Sequence, residues 1–177
     1  MKEGHVSMYV CGPTVYSDCH IGHIMGPVLF DSVARWFKQR NYTVQFVNNI
    51  TDIDDKIIKR HLETGEAWKD ITVRYTQQYF DLLEALNVTT VTNFPKCTDY
   101  IDNMVNYIQD LMDDDKAYVA DDGVYFDVVK HKGYGKLSGR KLEDMLSSGD
   151  KRADLRDSAD FCLWKLAKAG EPSWESP

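Results

Sequence analysis

A short apolar run, Val6 to Val10, breaks at Cys11-Gly12-Pro13-Thr14 and passes through His20-Ile21-Gly22-His23 into an apolar-periodic segment, Val28 to Arg40. The run predicts a buried strand and the segment a helix. A strand that opens into a Gly/Pro loop and re-forms as a helix is how open α/β sheets build nucleotide sites. The helix N-terminus supplies free amides and the positive end of its dipole. Pro27 is expected in the first helical turn, where a missing amide costs little. Val28, Phe30, Val33, Ala34, Trp36 and Phe37 keep helical spacing, with Asp31, Arg35 and Lys38 on the wet side and Asn41 as the stop. Thr43 to Val47 then reads as a second strand. Residues 6–47 form a strand–helix–strand unit, whose crossover is parallel and right-handed by strong default.

The second strand runs into Asn48-Asn49-Ile50-Thr51-Asp52-Ile53-Asp54-Asp55-Lys56. Thr51 and Asp52 fall on the same rim as the Cys11 loop, where ligands of open α/β sheets bind. Asp54 or Asp55 is expected to cap a helix reaching about Glu63. A longer helix, about Trp68 to Leu86, should bury Tyr75, Tyr79 and Phe80, and Asn93-Phe94-Pro95 closes this part. Another helix spans about Thr98 to Asp114. Beyond it Ala117–Ala120, Asp121-Asp122-Gly123 and Val124–Val128 signal a hairpin. Gly133, Gly135, Gly139 and Gly149 follow, with a short helix near Leu142 to Leu146 and regular structure again over Asp160 to Ala167. The division predicted is 1–115, the first half of a nucleotide-binding domain with its following helices, and 116–177, a small appended α+β module and the start of a return to the first domain.

The chain of 177 residues carries a net charge of −7, which argues against a generic nucleic-acid binder. No run approaches the ~18 apolar residues of a membrane span, and Met1 to His5 does not begin a secretory signal. A cytoplasmic protein with no membrane partner, and a monomer, is expected. Cys11, Cys19, Cys97 and Cys162 form no CxxC pair, so a disulfide framework is not expected.

His20 and His23, three residues apart in a helix's first turn, lie on nearly one side. Beside free amides they can donate to phosphate oxygens. Cys11 admits three roles: zinc thiolate, nucleophile beside an imidazole base, or small core residue. A local zinc site from Cys11, Cys19, His20 and His23 matches no usual structural spacing and would occupy the imidazoles.

Tyr9 to Tyr16 followed by His20-Ile21-Gly22-His23 resembles the first active-site segment of the cysteinyl-tRNA synthetase family, and His20 to His23 is the HIGH signature of class I aminoacyl-tRNA synthetases. Asn49 to Ile58, Tyr134 to Ser138, Asp160 to Lys165 and Gly170 to Pro177 are also similar to family text. The resemblance implies a Rossmann-like (HUP-type) parallel-sheet half-domain with an α+β connective insertion. It implies a two-step reaction: cysteine and ATP (with Mg2+) give cysteinyl-adenylate and pyrophosphate, then cysteine passes to the 3′ end of tRNA(Cys). In that reading Cys11 is a zinc ligand, and the zinc reads the substrate thiol. Gly12, Thr14 and Thr51 line the cysteine pocket, and His20, Gly22 and His23 hold ATP, the two histidines being catalytic. Two departures stand out. Ile24-Met25-Gly26-Pro27 lacks an Arg that many members carry after HIGH. The family's other zinc ligands (a Cys, a His and a Glu), its KMSKS loop and its anticodon-binding helices lie beyond Pro177. An N-terminal fragment that alone neither aminoacylates tRNA nor binds zinc tightly is therefore expected. The mycothiol cysteine ligase, sharing the adenylation step with an amino-sugar acceptor, and a shortened non-catalytic nucleotide-binding paralogue are the alternatives.

Overall fold

A computed structural model describes residues 3–142, 144 and 152–176. The short helix expected near Leu142 to Leu146 falls largely outside them, as does Gly149. The chain forms two compact units, Met1–Tyr100 and Ile101–Pro177.

In the first unit, β1 (His5–Val10) leads through the loop to α1 (Ile21–Gln39), then β2 (Thr43–Asn48), α2 (Asp55–Thr64) and α3 (Trp68–Ala85). β1 and β2 pair in parallel, from His5 opposite Thr43 to Val10 opposite Asn48. β2 alternates exposed and buried residues, with Val44 and Phe46 packed under Ala34 of α1. β1 departs from expectation: none of its residues is fully buried, and Tyr9 is 67% exposed. Among the described residues β1 has β2 as its one strand partner, and exposed and half-buried residues alternate along it.

α1 begins at Ile21, in keeping with a first turn that holds the histidine pair, which places Pro27 inside the helix and not in its first turn. A proline there removes the amide that would bond the His23 carbonyl. The buried stripe explains why it is kept: Ile24, Pro27, Asp31 and Ala34 face the interior. Gly26 lies so close to β1 that an added Cβ would stand 3.4 Å from a Val10 methyl. Val28, Phe30 and Trp36, expected in the apolar face, are instead exposed. Asn41 does stop the helix, in the left-handed conformation at φ 63°.

Asp31 was expected on the wet side, yet it is buried. The reason lies in the segment after α3. Thr89 and Thr90 donate their amides to Asp31 Oδ1 at 3.0 and 2.8 Å, and the Thr90 hydroxyl donates at 2.7 Å. Arg35 Nε donates to Oδ2 at 2.5 Å while its Nη2 reaches the Asn87 carbonyl and Thr89. Burial alone would raise the Asp31 pKa; the hydrogen bonds outweigh it and hold the carboxyl below its ordinary value. Asp31→Ala should therefore cost about 2–4 kcal/mol, because several donors lose their acceptor at once. The stabilisation is complete above the unfolded carboxyl pKa and is lost as pH falls through the lower folded value. Urea unfolding at neutral pH checks the magnitude, and a loss under ~0.5 kcal/mol would refute the account.

The same segment then runs beside β2. Thr92 N–H donates to the Phe46 carbonyl, Asn48 N–H to Asn93, and Ile50 N–H to Pro95, and isolated parallel bridges join Val47 with Asn93 and Ile50 with Lys96. The sequence pattern predicts only a closing turn at Asn93-Phe94-Pro95. The core of this unit joins Val15, Ile24, Ile50, Ile71, Tyr75, Tyr79, Leu83 and Val88, with Phe80 half-buried against it.

The second unit holds α4 (Ile101–Asp113), after a 3-10 turn at Cys97–Tyr100, and an antiparallel sheet of β3 (Ala117–Ala120), β4 (Gly123–Phe126) and β5 (Phe161–Lys165). Ile108, Leu111 and Met112 of α4 pack on Ala117, Val124, Leu163 and Trp164. The expected hairpin closes through Asp121-Asp122. Gly123 is required there, since a Cβ would meet the Trp164 carbonyl oxygen at 2.1 Å.

Candidate functional site

The loop after β1 is stitched to the segment after β2. Gly12 N–H donates to Asn49 Oδ1 at 2.8 Å, and the Asn49 amide donates to Thr51 Oγ1 at 3.2 Å. Thr51 N–H donates to the Pro13 carbonyl at 3.0 Å, Val15 N–H to the Thr51 carbonyl at 3.2 Å, and Thr14 bridges Thr51 in parallel. Beneath them Asn48, fully buried, donates to the Val10 carbonyl at 3.0 Å and accepts from the Tyr79 hydroxyl at 2.5 Å. Gly12 cannot be replaced without moving this clamp: a Cβ would stand 1.5 Å from the Asn49 carbonyl oxygen. Cys11, Gly12, Thr14 and Thr51 are thus brought together on one rim. Asp52 is taken up differently. Its carboxylate accepts the Thr98 amide at 3.0 Å and the Thr98 hydroxyl at 2.5 Å, and so caps the 3-10 turn. Burial, then the Asp52 charge, push the Cys97 thiol pKa up, against hydrogen bonds from Thr51 and Asn49.

His20 and His23 share a device that the spacing alone did not disclose. His20 is the N-cap of α1 and His23 its third residue, and they form a reciprocal capping box. Gly22 N–H donates to His20 Nδ1 at 3.1 Å, and His20 N–H donates to His23 Nδ1 at 3.3 Å. Ser or Thr with Glu or Gln usually fills these positions. Here both Nδ1 atoms accept, so each neutral ring carries its proton on Nε2. The rings stack with centroids 3.8 Å apart. Gly22 makes room for this, since a Cβ would lie 2.9 Å from His20 Cε1.

Burial, then His20 and Lys56, lower the His23 pKa from its ordinary value. Lys56 Nζ also lies 5.4 Å from the Tyr16 ring centroid, so the start of α2 brings a cation to the imidazole pair. Asp54 caps α2 as expected, accepting from the Lys56 amide at 2.9 Å. The folded value of His23 lies below the unfolded one. Its contribution to stability is then complete above the unfolded pKa and lost as pH falls through the folded value. Proton titration of the His23 ring by NMR should give a midpoint below ~6.5, with the Nε2–H tautomer on the basic side. A raised midpoint or an Nδ1–H ring would refute the capping assignment.

The Cys11 thiol is exposed, with the Gly12 carbonyl 3.5 Å from its Sγ. Among the described residues no group of three or more metal-ligating side chains includes it, so the local set Cys11, Cys19, His20 and His23 does not form. The imidazole Nδ1 atoms are already engaged. Asn48, Asn49 and Lys56 join the rim and the cap without a part foreseen for them in the sequence, and Tyr79, buried as expected, also bonds Asn48. Two successive Asn at the end of a parallel strand were the available signal.

Residues 1–177 match the family described as tRNA synthetases class I (C) catalytic domain. The chain belongs to this family. It is 48% identical over its full length to a cysteine--tRNA ligase of Nitrosomonas europaea and 44% identical to one of Thermococcus onnurineus, covering 39% and 38% of those proteins. It therefore spans about two fifths of the length of the curated relatives it matches. Methionyl-tRNA synthetase of Mycobacterium tuberculosis, solved in complex with methionyl-adenylate, shares the fold at a TM-score of 0.61 and 17% identity, over 68% of this chain and 24% of that one. The Rossmann-like class I assignment of the sequence thus holds. No described helix is long and apolar enough to cross a membrane.

Proposed function

We propose that this chain forms the N-terminal part of the catalytic domain of a cysteine--tRNA ligase. Residues 1–100 would supply half of the nucleotide-binding fold, and residues 101–177 the connective module. The observation that carries the reading is the clamp joining Gly12, Asn49 and Thr51 beside the double-imidazole cap of α1. It sets an amino-acid rim next to a phosphate-binding helix start, in a chain 48% identical throughout to such a ligase.

In the first step the cysteine carboxylate oxygen attacks the α-phosphorus of ATP and pyrophosphate leaves. No side-chain nucleophile is needed. His20 and His23, each an Nε2–H donor, stabilise the charge that grows on the phosphate oxygens, with the positive end of the α1 dipole beside them. Because the capping box fixes the rings before ATP arrives, little reorganisation is required in the transition state. Thr14 and Thr51 hold the amino acid against the rim. In the second step the terminal ribose hydroxyl of tRNA(Cys) attacks the carbonyl carbon and AMP leaves.

Zinc, bound, would hold the substrate thiol as thiolate and separate cysteine from serine. This chain's described residues offer Cys11 alone as a ligand of that site, which does not close a tetrahedral set. The test is a graft: this chain replacing the matching segment of the Nitrosomonas europaea ligase should sustain cysteine-dependent ATP–pyrophosphate exchange and tRNA charging. Exchange without charging, but with transfer to an amino sugar, would favour the mycothiol ligase. No exchange would end the enzyme reading.

A further inference from the structure

Lys56 stands where a helix does not favour a cation. Asp54 caps α2 and Asp55 opens it, so Lys56 falls in the first turn, at the positive end of the helix dipole. Its amide is held by the Asp54 carboxylate at 2.9 Å, and its side chain is exposed. Among the described residues its ammonium forms no ion pair with a carboxylate, whereas Lys59, further along α2, pairs with Glu63 at 3.7 Å.

What the ammonium meets instead is the Tyr16 ring, with Nζ 5.4 Å from the centroid. An aromatic face holds a cation without cancelling its charge. Tyr16 stands in the loop between the Cys11–Thr14 rim and the His20–His23 cap, and the chain turns there, the Tyr16 amide donating to the Thr14 carbonyl at 3.1 Å. Lys56 is also among the causes, after burial and His20, that lower the His23 pKa, so its charge reaches the cap as well. Asp18, the one carboxylate of residues 11–20, bears on Cys19, whose thiol pKa is raised by burial and then by this charge. Two imidazole donors, the start of α1 and an ammonium thus surround one loop, a concentration of positive potential that suits a phosphate.

We infer that the Lys56 ammonium contacts the α-phosphoryl oxygens of ATP while the adenylate forms. The inference rests on the proposed function and adds where the reacting phosphorus sits. The amino acid lies on the rim and the ATP phosphates at the imidazole cap, so the bond between them forms over the stretch of loop that Lys56 covers. The carboxylate O–P bond forms as the P–O bond to pyrophosphate breaks, and negative charge grows on the non-bridging oxygens. As neutral rings His20 and His23 give hydrogen bonds without net charge; Lys56 gives the charge. It stays protonated throughout and neither takes nor releases a proton. Its flexible stem lets the ammonium leave the Tyr16 face for a phosphate oxygen.

The experiment uses the Nitrosomonas europaea graft and the 177-residue chain. In the graft, Lys56→Gln should lower cysteine-dependent ATP–pyrophosphate exchange at least ~10-fold, chiefly in kcat, as the loss of a charge acting on the transition state does. Lys56→Arg keeps a cation on the same ring face and should stay within ~3-fold of the parent. Lys59→Gln, which removes an exposed pair, should change little. In the 177-residue chain Lys56→Gln should leave the unfolding midpoint in place and raise the NMR titration midpoint of His23, because a neighbouring cation is gone. ATP added to that chain should displace the His20 and His23 ring resonances, with an apparent Kd about 5-fold weaker in the Gln variant. The inference is overturned if the Gln variant exchanges within ~3-fold of the parent, or if the Arg variant loses as much as the Gln variant. An unmoved His23 midpoint overturns it too. A Gln variant that exchanges normally but charges tRNA(Cys) poorly puts Lys56 on the RNA, and that also overturns it. Absence of exchange in the unsubstituted graft ends the enzyme reading instead. The ATP titration of the 177-residue chain then decides the inference by itself: no displaced resonance, or one Kd for both forms, overturns it.

Discussion

Exchanging both imidazoles of the helix cap, His20→Asn with His23→Gln, should leave the fold standing and abolish most of the chemistry. Asn is a strong N-cap and Gln at the third position completes an ordinary capping box, so α1 keeps its start. The unfolding midpoint should move by less than ~0.5 kcal/mol equivalent. The Nε2–H donors are gone, however, and each is worth roughly 100–1,000-fold in rate if it stabilises charge on a transferring phosphate. Exchange by the grafted ligase should therefore fall by at least ~100-fold, chiefly in kcat. His20→Ala would not separate the two effects, because it also removes a cap worth about 1 kcal/mol. If the double variant exchanges pyrophosphate within ~10-fold of the parent, the histidines are structural and nothing more.

Gly12→Ala should give the largest loss of stability of any single methyl addition in the first unit. The added carbon would stand 1.5 Å from the Asn49 carbonyl oxygen, and the contact is with backbone on a strand end, not with a side chain that can swing away. Relief requires Cys11–Pro13 to lift from Asn49–Thr51, which breaks the Gly12 amide bond to Asn49 Oδ1 and strains the Thr51 amide bond to Pro13. A cost of about 2–4 kcal/mol is expected from overpacking and the broken bonds together. Urea unfolding of the 177-residue chain measures it, and the alkylation rate of the Cys11 thiol reports whether the rim has moved. Gly65→Ala is a useful contrast. A Cβ there meets nothing, so only the strain of its left-handed φ of 72° is felt, on the order of 1 kcal/mol.

The strand–loop–helix–strand unit was legible because its signals are local: an apolar run, a Gly/Pro break, helical periodicity and a β-branched run. The left-handed Asn41 stop and the Asp54 cap followed from the same short-range rules. Asp31 was not legible, because its burial depends on Thr89 and Thr90, nearly sixty residues away, which turn a wet-side carboxylate into an interior acceptor. Pro27 misled in the other direction. Helix rules put proline in the first turn, but the His20–His23 capping box starts the helix at Ile21, and Pro27 then lies on its buried stripe. At the site, residue types were readable and relations were not. Two histidines three apart suggest paired donors, but the fixing of both Nδ1 atoms needs coordinates. The link from Tyr79 through Asn48 to the strand end at Val10 joins three segments with no motif between them.

The open edge of β1 has a consequence in time as well as in space. Among the described residues this strand pairs with β2 alone, and Tyr9 on it is exposed. A free parallel edge accepts any extended chain that comes alongside. While these residues stand without further strands, the half-sheet competes for partners with every other nascent polypeptide nearby. Folding yield should then depend on how soon the edge is occupied, and dilution or chaperone capacity should matter more for this segment than its own stability does.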